Sequence, residues 1–278
     1  MRQTFPVVLM LATLAGCASL PSKESTMTPQ FVYKTVGDRQ LVMDADYPEG
    51  WRPRDKRPAI VFFCGGAWRT GATKQFTDQA KVFAAHGMVA LRAEYRDTMR
   101  DKVTVDVCVE DAISAMRFVR TNARRLGVDP DRIVAAGGSA GGFLAASTWT
   151  TQGIHAEGEG LSVSPQPNAM VLFNPVFDLL PFREKHGIGL GISEERAKQV
   201  SPNWNVRAGI PPTLIMVGTE DEYLGQMETF RDRATAMGAQ VEMRIYEGQR
   251  HAFFNQAPWK EKTVADGIAF LRDVGVLR

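Results

Sequence analysis

The sequence is poor in the features that mark metal sites, membrane spans and nucleic-acid surfaces. Its four histidines, His86, His155, His186 and His251, show no H-x-H or H-E-x-x-H spacing, and its three cysteines form no C-x-x-C pair. A structural zinc needs clustered ligands, so no metal site is expected. Basic and acidic residues nearly balance at a net charge of +2, and no Lys/Arg run concentrates the excess. A nucleic-acid partner is therefore not expected. Internal repeats, low-complexity tracts and a second-domain linker are also missing, which leaves one domain with ample core.

The N-terminus carries a short positive region at Arg2 and an apolar run from Val7 to Ala15, then Leu14-Ala15-Gly16-Cys17 and a polar stretch. The run is too short to span a bilayer and reads as a signal peptide. Its end resembles the lipobox of bacterial lipoproteins. That resemblance implies a signal over residues 1–16, a lipidated Cys17, a tether over 17–30 and a domain over 31–278. It also implies a place in the bacterial cell envelope, at the outer membrane since Ala18 rather than Asp follows the cysteine, with several acyl chains as a stable membrane anchor. An ordinary secreted protein with an incidental Cys17 is the alternative. Cys64 and Cys108 lie in apolar settings and are expected as buried free thiols, with a disulfide as the alternative.

Phe31–Val36 and Leu41–Tyr47 alternate around Gly37-Asp38, a hairpin signal. Continuous apolar runs at 59–64, 88–93, 132–136, 169–173 and 213–217, with 240–246, read as strands. Helical patterns cover 73–85, 104–126, 141–151, 224–237 and 259–271. Strands alternating with helices predict an α/β fold with a mostly parallel central sheet and helices on both faces. Residues 175–208 read as mixed and loop-rich.

The chain is organised around Gly137-Gly138-Ser139-Ala140-Gly141, which fits G-x-S-x-G between a strand and a helix. The turn leaves little room for a Cβ, and a serine there sits at a helix N-terminus, where developing negative charge is favoured. A phosphate-cradling loop is excluded because Ser139 occupies the second glycine of G-x-G-x-x-G and no Gly-Lys-Ser/Thr follows. A serine hydroxyl needs a base, and the base an orienting carboxylate. His251 is the one histidine that follows a late strand. The acid is expected after the strand ending at Val217, where Asp221 is preferred over Glu220 and Glu222; Asp178 is a weaker alternative from the preceding strand. Oxyanion donors are expected at Ala140, after the serine, and at Gly65, Gly66 and Ala67 in the Cys64-Gly-Gly-Ala-Trp68 loop after the third strand. Trp68, Phe143, Trp204 and Phe253 are candidate pocket walls, with ordinary packing as the alternative.

As a set, Gly-Gly-Ala-Trp, Glu94-Tyr-Arg, Asp129-Pro-Asp-Arg-Ile, Gly-Gly-Ser-Ala-Gly-Gly, Gly-Thr-Glu-Asp and His251-Ala-Phe resemble the esterase/lipase branch of the α/β-hydrolases. The resemblance, nearest to hormone-sensitive-lipase-like carboxylesterases and bacterial carbohydrate acetyl or feruloyl esterases, covers roughly residues 40–278. It implies the α/β-hydrolase fold, no cofactor, an acyl-serine intermediate on Ser139 and an ester substrate, acylated carbohydrate among the candidates. Cys64 departs from the family, which carries histidine there, and so puts the bracing of the oxyanion loop in doubt. The short segments 152–168 and 178–208 imply an open cleft for small acyl groups. A prolyl-oligopeptidase-like peptidase and a catalytically silent binding lipoprotein are the competing readings.

Overall fold

The computed structural model describes residues 28–186 and 191–278. The signal peptide and Cys17 expected from the sequence lie outside the described residues. Eight strands form one sheet: β1 (Gln30–Val36), β2 (Arg39–Asp46), β3 (Arg57–Phe63), β4 (Val89–Ala93), β5 (Val128–Gly138), β6 (Ala169–Phe173), β7 (Thr213–Gly218) and β8 (Val241–Tyr246). Their order is β1-β2-β4-β3-β5-β6-β7-β8. The hairpin β1–β2 and the β2–β4 pair are antiparallel, and every pair from β4 to β8 is parallel.

Side-chain alternation splits the core into two halves. Val61, Phe63, Ala135, Leu172 and Ile215 face α2 (Val105–Thr121), α4 (Ala140–Thr150) and α7 (Leu224–Ala236). Ile60, Phe62, Ala136, Val171 and Leu214 face α1 (Thr77–Ala85) and α8 (Trp259–Asp273). Burial on both faces explains why β3, β6 and β7 read as unbroken apolar runs. This is the α/β-hydrolase fold, mostly parallel with helices on both faces. Both described thiols, Cys64 and Cys108, are buried and free. No helix among the described residues is long and apolar enough to cross a membrane.

Three boundaries differ from the sequence expectation by more than two residues. The helix expected over 104–126 breaks at Asn122, whose Nδ2 donates to Phe118 O at 2.9 Å, and a short α3 (Ala123–Leu126) follows, closed by Gly127 at φ 66°. The elbow strand starts at Val128 rather than Arg132. Its pairing with β3 jumps from Arg57↔Val128 to Ala59↔Ile133, an irregularity that accommodates Pro130, which has no N–H for the ladder. The helix expected from Thr73 begins at Thr77, because residues 73–76 form turns. The loop-rich stretch holds α5 (Leu179–His186), α6 (Glu194–Val200) and a single 3-10 turn at Pro202–Trp204.

Candidate active site

The chain runs from β3 outward to β4, then returns to the other side of β3 to make β5. The loops after β3 and β5 therefore diverge at their carboxyl ends and open the crevice that such a sheet offers a ligand. Ser139 stands in the turn from β5 into α4 with φ 53° and ψ −119°. Gly65, after β3, lies so close that a Cβ on it would come within 2.7 Å of Gly138 O and 3.3 Å of Ser139 Cβ.

The loops after β7 and β8 complete the site. His251 Nε2 lies 2.8 Å from Ser139 Oγ, and its Nδ1 lies 2.8 Å from Asp221 Oδ2. With the ring proton on Nδ1, the imidazole donates to Asp221 and accepts from the serine hydroxyl. The Tyr223 N–H donates to the other carboxylate oxygen of Asp221 at 2.9 Å, and Asp221 is only 5% exposed. Among the alternative acids, Glu220 is exposed and pairs with Arg250 at 2.8 Å. Glu222 is also exposed, and Asp178 Oδ2 accepts from Trp204 Nε1 at 3.0 Å. Geometry thus selects Asp221 as the carboxylate facing His251.

The expected oxyanion set needs one correction. The Gly65 N–H donates to Gln75 Oε1 at 2.6 Å, so it is already occupied. The N–H groups of Gly66, Ala67 and Ala140 have no acceptor among the described residues. Gly66, Ala67 and Trp68 all take positive φ, at 115°, 53° and 56°. Cys64 braces this loop. Its thiol donates to Thr70 O at 3.3 Å, and the Tyr95 hydroxyl donates to Cys64 O at 2.9 Å. Burial pushes the Cys64 thiol up to about 12, with the Tyr95 hydrogen bond acting in the opposite direction.

The expected walls also change. Trp68 and Phe143 are fully buried and pack edge to face at 5.2 Å, so they stand behind the cleft as core. Phe253 is buried against Tyr246 and Trp259, where it anchors the histidine loop. Trp204 is half-exposed, tied to Asp178 and covered by Lys198 Nζ at 4.9 Å from its ring centroid. Sequence reasoning missed Tyr223, whose ring meets His251 edge-on at 5.0 Å, and Phe182, which lies between Tyr223 and Trp68. Burial raises the Tyr223 hydroxyl, and a hydrogen bond with Glu222 raises it further. Asn174 and Gln75 were missed as well; Asn174 directly follows β6, a position that the Phe173-Asn-Pro run marks. No group of three or more potential metal ligands gathers among the described residues.

Fold and site together define a carboxylesterase-like α/β-hydrolase. The BD-FAE family model matches residues 43–230, and the chain belongs to that family. It is 40% identical to esterase 2 of Thermogutta terrifontis, solved after phosphoramylation by tabun, with a TM-score of 0.84 over 90% of this chain and 96% of that one. Carboxylesterase NlhH of Mycobacterium tuberculosis is 26% identical over 97% of this chain and 92% of its own length. A probable isoprenylcysteine alpha-carbonyl methylesterase of Arabidopsis thaliana is 30% identical over 73% of this chain. The chain spans about half the length of that plant relative, 47%.

Proposed function

We propose that this protein hydrolyses short-chain carboxylic esters through an acyl-enzyme on Ser139. The carrying observation is the unbroken line from Ser139 Oγ through His251 to Asp221, with both contacts at 2.8 Å. Ser139 attacks the ester carbonyl while His251 takes its proton, and Asp221 holds the imidazole and stabilises its charged form. The Gly66, Ala67 and Ala140 N–H groups donate to the developing oxyanion; one such donor is commonly worth about 10²–10³ in rate. His251 then protonates the leaving alcohol, and as base again it activates the water that releases the acid.

Tyr223 meets His251 edge-on and Phe182 packs behind Tyr223, an aromatic crowding that favours a small acyl group in this reading. The Thermogutta terrifontis esterase 2 has been solved with propionate bound, which supports the same reading. Acetylated or feruloylated carbohydrate is the polymer-derived substrate we favour for an envelope protein. The lipobox-like end at Cys17 supports anchoring at the bacterial outer membrane.

The purified chain is expected to hydrolyse p-nitrophenyl acetate, and paraoxon is expected to block it stoichiometrically. Ser139→Ala should lower kcat by at least about a thousandfold. A fully active Ser139→Ala protein defeats the mechanism. A wild type inert to every ester favours the silent binder, and cleavage of prolyl peptides alone favours the peptidase. For the anchor, the wild-type protein should partition with membranes and Cys17→Ser should not; equal partitioning refutes lipidation.

A further inference from the structure

Asn174 is the first residue beyond β6, between the strands that deliver Ser139 and Asp221. It is fully buried, and its backbone takes φ 37°. That conformation is held from both sides. The Asn174 N–H donates to Met216 O at 2.7 Å, the Ser139 N–H to Phe173 O at 2.9 Å, and the Val176 N–H to Ser139 O at 3.3 Å. Asparagine is among the few side chains that tolerate this region of backbone space.

Its side chain has no ordinary structural task. Nδ2 lies 3.2 Å from His251 Nδ1 and 3.4 Å from Nε2. Both ring nitrogens are already committed, one to Asp221 and the other to Ser139. Near-equal distances to the two place the amide against the ring between them. The Tyr223 ring meets the imidazole with an interplanar angle of 79°, so the base is confined by an amide and a phenol ring. Meanwhile Asn174 Oδ1 is buried with no hydrogen-bond partner. An unpartnered buried carbonyl is unfavourable, and a buried amide that keeps one calls for an explanation.

We propose that Asn174 is a positioning residue whose amide fixes the plane of the His251 ring and turns its carbonyl toward that ring when it becomes cationic. The proposal rests on the serine-hydrolase reading. With the ring neutral, the Nδ2–H dipole lies against it without penalty. Once His251 has taken the serine proton, the same dipole opposes the new positive charge. A half-turn of the amide exchanges the two ends and gives the orphan Oδ1 a positive neighbour. No bond forms or breaks in this step. The other groups facing the ring are Ser139 from the elbow and Asp221 and Tyr223 from the loop after β7. The Arg250–Glu220 pair beside them is solvent-exposed.

The test uses two variants that the backbone accepts. Asn174→Gly keeps the positive φ and removes the amide; Asn174→Asp keeps the shape and sets a carboxylate against the ring. Active sites are counted by paraoxon titration, so misfolded protein drops out of the rate. The glycine variant is expected to lose about ten- to a hundredfold in kcat with KM within about threefold. In the aspartate variant the acid limb of kcat/KM should move to higher pH, because a carboxylate favours the protonated imidazole. If Asn174→Gly does not fold, the isosteric aspartate profile decides alone. A glycine variant within about twofold of wild-type kcat per site, or an aspartate profile superimposed on wild type, overturns the proposal. A wild type inert toward both ester and paraoxon fails earlier, at the hydrolase reading itself.

Discussion

Ser139 sits in a backbone conformation that L-residues seldom adopt, and such positions cost about 1–3 kcal/mol where nothing holds them. Here its N–H and carbonyl are both engaged, the carbonyl accepting from Phe143 at 3.0 Å and Val176 at 3.3 Å. The strain therefore serves presentation, lifting Oγ out of the strand toward His251. Cys64 shows the opposite case, a reactive side chain made inert. It is 5% exposed, its thiol is spent on Thr70 O, and burial holds it protonated up to about 12. At pH 8 that leaves almost none of it as thiolate, the form that reacts. Iodoacetamide at pH 8 should thus leave esterase activity intact and Cys64 unmodified, while in denaturant the same residue is alkylated. Carbamidomethylated Cys64 recovered from native, folded protein would refute this. Cys64 is a brace for the oxyanion loop, with no part in nucleophilic chemistry.

At the scale of elements, four loops meet at the carboxyl edge of the sheet, and side chains join them. Gln75 accepts from Gly65 in the oxyanion loop and donates through Nε2 to Asn255 Oδ1 at 3.2 Å, and Asn255 donates to Ala252 O at 3.0 Å beside His251. Phe254 packs against Phe76 and Phe173 and lies where a Cβ on Gly138 would fall, which seats the histidine loop under the elbow. Much of this was legible in the sequence because the signals were local. G-x-S-x-G announces its turn by glycine spacing, and apolar runs announce strands buried on both faces. His251 followed from its place after β8, and the acid from its place after β7, where the Gly-Thr-Glu-Asp form singled out Asp221 among three carboxylates. What escaped is non-local. Gly65 could not be told from Gly66 and Ala67 as a donor, since its acceptor on Gln75 comes from a different turn. Trp68 and Phe143 stay open between wall and core in the sequence, because an aromatic near a motif looks the same whether it faces the cleft or the core. Asn174 and Tyr223 gain their meaning only from the His251 ring that each approaches.

For the molecule as a whole, buried charge and buried neutral acids set the pH range of stability. Asp111 is completely buried yet fully paired, accepting from Lys34 Nζ at 2.7 Å and Arg96 Nη2 at 2.8 Å, and so ties β1 and the end of β4 to α2. Close to it lie groups that must stay neutral. Burial raises the Cys108 thiol well above its usual value, and Asp111 adds to the effect. Burial likewise raises the Tyr95 hydroxyl, with Cys64 adding to it, and raises half-buried Tyr33 together with Asp111 and Glu94. Each of these groups has a folded-state value above its unfolded one. Their stabilisation is therefore complete below the unfolded value and is lost as pH rises. Unfolded thiols titrate near about 8.5 and phenols near about 10. These groups leave stability flat between pH 7 and about 8, above which it should fall by about 2.7 kcal/mol per unit as Cys64 and Cys108 come into play. Above about pH 10 the raised tyrosines, Tyr95, Tyr33, Tyr223 and Tyr246, steepen the fall further. Urea unfolding midpoints between pH 7 and 11 measure this directly, and Cys108→Ala should halve the slope between about pH 8.5 and 10. A midpoint that stays constant through pH 10.5, or a slope indifferent to Cys108→Ala, would show that the buried thiols are not what limits the alkaline range.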